Sequence, residues 1–224
     1  MIVKVCGMRE PENIRAVEQT GADWMGFICY EGSSRYVADL PRYLPRQAKR
    51  VGVFVNADID NIRSHAQKFQ YDYLQLHGTE SPDTCQTLHE EGFRLIKAFA
   101  LRSIADLRQI PPYAPSCDYL LFDTPCTGFG GSGTAFDWDL LRHYEGSTPF
   151  LLSGGIRPES LEALKRFRHP RWAGIDLNSG FETAPAVKDA PKLKAFIEAV
   201  KRNLCVVINV LKSVKSDGAA FLME

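Results

Sequence analysis

Net charge is the first thing this sequence lacks. Lys and Arg total 27, and Asp and Glu total 27, so no global field draws the protein to nucleic acid or to an anionic membrane. An acidic ligand must then be held by local groups. Metal-ligand spacing is lacking as well. The six cysteines (Cys6, Cys29, Cys85, Cys117, Cys126 and Cys205) include no CxxC pair. His65, His77, His89, His143 and His169 show no paired ligand spacing. The consistent reading is free thiols in a reducing cytoplasm, with no metal expected. Long hydrophobic runs are missing too. The longest, Leu204 to Leu211, is broken by Asn209 and falls far short of the roughly 20 residues that cross a bilayer. A first strand beginning at Ile2 leaves no expected room for a signal peptide. No linker, low-complexity tract or charge block divides the chain. One domain is therefore expected over 1–202, with 203–224 as a helical extension or frayed tail.

What is present is a repeated alternation. Eight short, β-rich apolar runs stand out: Ile2–Cys6, Trp24–Cys29, Val51–Val55, Tyr73–Leu76, Arg94–Ala98, Tyr119–Asp123, Phe150–Ser153 and Gly174–Leu177. They are spaced by roughly 22 to 30 residues, about one βα unit each. Helix signals lie between them. Pro11 to Gln19 has helical spacing, Ser81-Pro82 sets an N-cap followed by a proline at the first helical position, and Arg157-Pro158-Glu159-Ser160 precedes Leu161–Phe167. Near-continuous apolar strands suit a parallel sheet buried on both faces. At 224 residues the chain approaches the roughly 250 typical of a (β/α)8 TIM barrel. A doubly wound open sheet is the competing α/β architecture. Eight similar units with reactive residues at nearly every strand end favour the closed barrel.

Those strand ends carry the candidate chemistry. Cys6 follows the first run, Ser33-Ser34-Arg35-Tyr36 the second, Asn56 the third and His77-Gly78 the fourth. Lys97 lies on the fifth, Asp123 ends the sixth, and Ser153-Gly154-Gly155 and Asn178-Ser179-Gly180 follow the last two. In a barrel all of them converge on the C-terminal face. Each also has a plainer reading. Free cysteine packs well as a small apolar residue, and an aspartate before Thr124-Pro125 often only closes a turn. Arg35 fits a solvated surface, His77 a bond to a loop carbonyl, and Lys97 a pairing with a core carboxylate. A shared face is what these plainer readings do not require.

The glycine loops are more specific by position than by composition. Gly154-Gly155-Ile156 and Asn178-Ser179-Gly180 follow the seventh and eighth strands, where barrels frequently bind phosphate through backbone N–H groups. Gly128-Phe129-Gly130-Gly131-Ser132-Gly133 fits GxGxxG literally. It stands four residues past the nearest strand, so it cannot make the tight βα turn of a dinucleotide site. It reads instead as a mobile loop over the mouth.

Taken together, the motifs resemble the phosphoribosylanthranilate isomerase family of tryptophan biosynthesis. They are Lys4-Val5-Cys6-Gly7-Met8-Arg9, Gly26-Phe27-Ile28 with Ser34-Arg35-Tyr36-Val37, Val51-Gly52-Val53-Phe54-Val55-Asn56, Gln75-Leu76-His77-Gly78 and Leu121-Phe122-Asp123-Thr124. They continue with Gly131-Ser132-Gly133-Thr134-Ala135-Phe136-Asp137-Trp138, Ser153-Gly154-Gly155-Ile156, Gly174-Ile175-Asp176-Leu177-Asn178-Ser179-Gly180-Phe181-Glu182 and Lys188-Asp189. The resemblance implies a TIM barrel that performs an Amadori rearrangement without metal or cofactor. It implies Asp123 as general acid and Cys6, as thiolate, as general base. Arg35 resembles the residue that grips the anthranilate carboxylate, and His77 lies near the site. Backbone around Gly154, Gly155, Ile156, Asn178, Ser179 and Gly180 would hold the phosphate. Two positions depart from the family pattern: Ser34 stands where proline is usual, and Asn178 where serine is common. The implied partner is a small phosphosugar, with no nucleic acid or membrane, and the protein would act as a monomer or homodimer.

Two other functions stay open on sequence. The related sugar isomerases of histidine biosynthesis, or a bifunctional form, resemble this chain in the phosphate loops but place an aspartate on the first strand. A non-catalytic phosphosugar-binding barrel would bind without turnover.

Overall fold

Residues 1–123 and 138–203 are described by the computed structural model. Eight parallel strands close into a barrel in chain order. They are β1 (Ile2–Val5), β2 (Trp24–Ile28), β3 (Lys49–Phe54), β4 (Tyr73–Leu76), β5 (Leu95–Ala100), β6 (Tyr119–Asp123), β7 (Phe150–Leu152) and β8 (Trp172–Leu177). Every expected strand is present, with differences only at the ends, and the open-sheet alternative is excluded by closure of β8 onto β1. That closing seam sets Lys4 opposite Asp176 and Val5 opposite Leu177.

Helices α1 (Pro11–Glu18), α2 (Ile59–Phe69), α3 (Pro82–Glu90) and α4 (Leu161–Arg166) cover the outside, with α5 running over 190–203. The Ser81 hydroxyl accepts from Thr84 N–H at the start of α3, and Asp58 accepts from Asn61 N–H at the start of α2. Each satisfies a donor that the helix itself leaves unpaired. The units are less alike than the spacing suggests. No helix joins β2 to β3. Between β5 and β6 the chain forms two short 3-10 helices, Ile104–Gln109 and Pro111–Ser116. Pro111, Pro112 and Pro115 remove the donors an α-helix needs there. A short antiparallel pair, β9 (Glu182–Ala184) and β10 (Val187–Lys188), follows β8. Among the described residues no helix is long and apolar enough to cross a membrane.

Because side chains alternate along a strand, each strand feeds two cores. The larger lies between strands and helices and includes Val3, Val5, Phe27, Leu76 and Phe122. The smaller fills the barrel itself with Cys6, Trp24, Val53, Tyr73, Ile96, Leu121 and Leu151. At its N-terminal end it closes on an aromatic plug. The Trp24 and Tyr73 rings stack at 4.5 Å between centroids, and Tyr119 meets Trp24 edge-on at 5.1 Å.

Each plug residue opens an even-numbered strand and follows an aspartate: Asp23-Trp24, Asp72-Tyr73 and Asp118-Tyr119. The aspartates accept backbone N–H bonds from Val3, Arg50 and Leu95, each at 2.8 Å. Those donors sit at or near the starts of the odd-numbered neighbours. One dipeptide, used three times, both fills the barrel floor and ties strand starts together.

Candidate active site

The opposite end of the barrel is polar. On β1, Lys4 faces inward, and Cys6 takes the next inward position just past the strand end. On β4, Tyr73 and Gln75 face inward, so His77 follows them, and on β6 Tyr119 and Leu121 bring Asp123 to the same rim. His77 Nε2 lies 3.3 Å from Asp123 Oδ2. Its Nδ1 is 2.6 Å from Gln75 Nε2. With the amide donating, Nδ1 is the acceptor and the ring hydrogen sits on Nε2, towards Asp123.

Cys6 is 4% exposed. Its N–H donates to Leu177 O at 2.8 Å, which fixes it against the end of β8. Burial pushes the thiol above its ordinary value, while Lys4 pulls it back down, Asp176 pushes it up, and Lys188 pulls it down. Lys4 itself is fully buried and bonded to Asp176 Oδ1 at 2.9 Å. Burial works against its charge, but Asp176 and Cys6 outweigh that and hold the ammonium above its ordinary value. Next to this pair, Gly26 leaves room: a Cβ there would stand 2.7 Å from Cys6 Sγ and 3.2 Å from Lys4 Nζ.

A second charged cluster flanks Cys6. Arg35 donates from Nε and Nη2 to the two carboxylate oxygens of Glu182, at 2.8 and 2.6 Å. Lys188 Nζ donates to Glu182 Oε1 and to Asn178 Oδ1, both at 2.6 Å. Burial works against the Glu182 charge, yet Arg35 and Lys188 hold its carboxyl below the usual range. Gly7 makes the convergence possible. Its φ of +75° suits glycine, and a Cβ would come within 2.9 Å of both Arg35 Cδ and Asn178 Oδ1.

The loops after β7 and β8 lie against one another. Gly154 and Gly155 take φ of 79° and 66°, which turns the chain sharply out of β7. Gly180 packs so closely that a Cβ would stand 2.3 Å from Ile156 O. Ser179–Phe181 forms one short 3-10 turn. The expected anion loops are therefore adjacent.

Comparison with known proteins now identifies the family. A sequence profile for N-(5'phosphoribosyl)anthranilate (PRA) isomerase matches residues 3–199. The chain belongs to that family. A relative from Phocaeicola vulgatus carrying the isomerase name is 55% identical over 204 residues, covering 91% of this chain and 100% of its own. The phosphoribosyl anthranilate isomerase structure from Thermotoga maritima is 32% identical, with a TM-score of 0.75 over 90% of this chain and 99% of that one. A third, 30% identical with a TM-score of 0.72 over the same shares, is a complex with reduced 1-(o-carboxyphenylamino)-1-deoxyribulose 5-phosphate.

Among the residues singled out from sequence, Cys6, His77 and Asp123 reach one rim of the barrel, and Arg35 lies beside Cys6. Lys97 takes its plainer role: it is buried and paired with Glu80 at 2.9 Å, with carbonyl oxygens of Leu76, Gly78 and Ala98 around it. Asn178 commits its side-chain oxygen to Lys188. The glycine-rich 128–133 and the tail 204–224 lie outside the described residues. Lys4, Asp176, Glu182 and Lys188 carry no signal of a role in the sequence, though all four sit inside the family motifs. Among the described residues no group of His, Cys, Asp and Glu is placed to hold a metal ion, and Cys6, Cys29, Cys85 and Cys117 are free thiols.

Proposed function

We propose that this isomerase of tryptophan biosynthesis converts N-(5'-phosphoribosyl)anthranilate to 1-(2-carboxyphenylamino)-1-deoxyribulose 5-phosphate by general acid–base catalysis, with Asp123 as acid and Cys6 as base. The observation that carries the reading is the pairing of family membership with a thiol and a carboxyl on the inward positions of β1 and β6, at the same end of the barrel. Asp123 gives its proton to the ribose ring oxygen as the C1′–O bond breaks, leaving a protonated imine at C1′. The imine draws electrons from C2′. Cys6, as thiolate, takes the C2′ proton, and the electron pair moves into a C1′–C2′ double bond, neutralising the nitrogen. The enolamine then gains a proton at C1′ and loses one from the 2′-hydroxyl, giving the ketone. The iminium supplies the electron sink, so the chemistry calls for neither metal nor cofactor.

Groups of this kind each contribute about 10²–10⁴ in rate when positioned. Burial favours the neutral thiol, and the cationic imine next to it adds to the pull of Lys4 and Lys188 towards thiolate. Arg35 keeps Nη1 for the anthranilate carboxylate while Glu182 fixes the rest of its fork. His77, donating from Nε2, orients Asp123. Gly154, Gly155, Ile156, Asn178, Ser179 and Gly180 offer backbone to the phosphate. The protein acts in the cytoplasm on a small phosphosugar, as a monomer or homodimer, without nucleic acid or membrane. Substrate fluorescence tests the reading. The purified protein is expected to abolish the anthranilate-type emission of freshly formed phosphoribosylanthranilate within seconds to minutes. Decay no faster than the substrate's own breakdown would overturn it.

A further inference from the structure

The best-buried charges in the barrel interior belong to neither of the groups assigned to the reaction. Lys4 and Asp176 face each other across the seam that closes the barrel, with side chains 0% and 5% exposed. A buried ion pair gains little net stability against a well-packed apolar pair of the same volume. Its position is therefore the informative feature. It lies one inward layer beneath Cys6, and only the absence of a side chain at Gly26 lets the thiol and the ammonium approach the same spot from above and below.

We propose that Lys4 is a positioning residue for the reaction: anchored by Asp176, its ammonium sits beneath Cys6 and stabilises the thiolate that removes the substrate proton. This rests on Cys6 being the base. The charged groups acting on that thiol are Lys4 from β1, Asp176 from β8, Lys188 from β10 and Arg35 from the loop after β2. Of these, Lys4 has the largest influence after burial itself and acts in the direction of thiolate. Asp176 does two things. It keeps the buried lysine protonated, and its 2.9 Å bond to Nζ holds the ammonium on the seam, out of the substrate's place. Lys188 and Arg35 are already tied to Glu182, which leaves Lys4 as the cation whose carboxylate partner among the described residues, Asp176, lies below the thiol.

The test separates charge from packing. Cys6 ionisation is followed by the ultraviolet absorbance of the thiolate, subtracting a Cys6→Ala reference to cancel the other cysteines. Lys4→Met is expected to lower the thiolate fraction at a fixed alkaline pH about tenfold, equivalent to one pKa unit or about 1.4 kcal/mol. Its kcat should fall about 10–100-fold at neutral pH and recover as pH rises, with KM nearly unchanged. Lys4→Arg, which keeps the charge, should restore most of both. Where Lys4→Met fails to fold because it strands a buried carboxylate, the Lys4→Met/Asp176→Asn double variant removes both charges and should show the same loss of thiolate. Unchanged Cys6 ionisation in either folded variant overturns the proposal. Full turnover by Cys6→Ala would instead overturn the base assignment beneath it, a distinct result because ionisation is read without substrate.

Discussion

The two ends of this barrel are built from the same strands and hold opposite kinds of matter. At the N-terminal end, Trp24, Tyr73 and Tyr119 fill the interior with rings in contact, and Asp23, Asp72 and Asp118 spend their carboxylates on backbone N–H groups. Towards the C-terminal end the interior holds first Lys4 and Asp176, and above them Cys6, His77 and Asp123. Buried charge is costly to the fold, whereas stacked aromatics contribute to it. One end thus supplies stability that the other gives up in exchange for groups able to move protons, a division that barrel enzymes share.

Substitutions at the two ends should therefore separate cleanly. The largest effect on rate is expected at the top. Asp123→Asn should lower kcat about 10²–10⁴-fold in steady-state assays, with thermal unfolding nearly unchanged. At the bottom, Trp24→Ala should cost about 3–5 kcal/mol of stability in denaturant titrations, while the folded fraction keeps kcat within a few-fold of the parent. Loss of kcat in a folded Trp24→Ala protein would break the comparison. Arg35→Ala returns to the top with a smaller effect: KM should rise about tenfold or more with kcat less affected, since a charge-assisted bond contributes about 1.5–3 kcal/mol. It also frees Glu182 and Lys188, so the variant's melting point sharpens how far that cluster is structural. Smallest of all, Asp118→Ala should remove about 1–2 kcal/mol of stability and leave kcat and KM alone.

How much of this could be read from the chain follows the same geography. The strands were legible because both of their faces are buried, which makes each a compact apolar run. Cys6, His77 and Asp123 were legible because they interrupt those runs at the end that barrels use for chemistry. The crossover from β5 to β6 was not, since Pro111, Pro112 and Pro115 replace an expected helix with 3-10 turns. Least legible were the charge pairings. Lys4 and Asp176 lie 172 residues apart, and Arg35 and Glu182 lie 147 apart. Each pair comes together only when the last strand closes on the first, and no local pattern encodes that meeting. The Asp-aromatic dipeptides were in plain view, but their meaning depends on which strand ends they face.

The measurement that bears most directly on the account is the pH dependence of single-turnover loss of phosphoribosylanthranilate fluorescence, for the parent protein and for Cys6→Ala. Burial raises the Cys6 thiol above its ordinary value of 9.0, so the thiolate fraction of the free enzyme grows as pH rises. The parent's kcat/KM at limiting substrate should climb on the alkaline side accordingly. Cys6→Ala should be slower by about 10²–10⁴-fold and lose that rise. A Cys6→Ala protein that turns over as fast as the parent, with the same pH profile, would contradict the assignment of the proton-removing step to the top of β1.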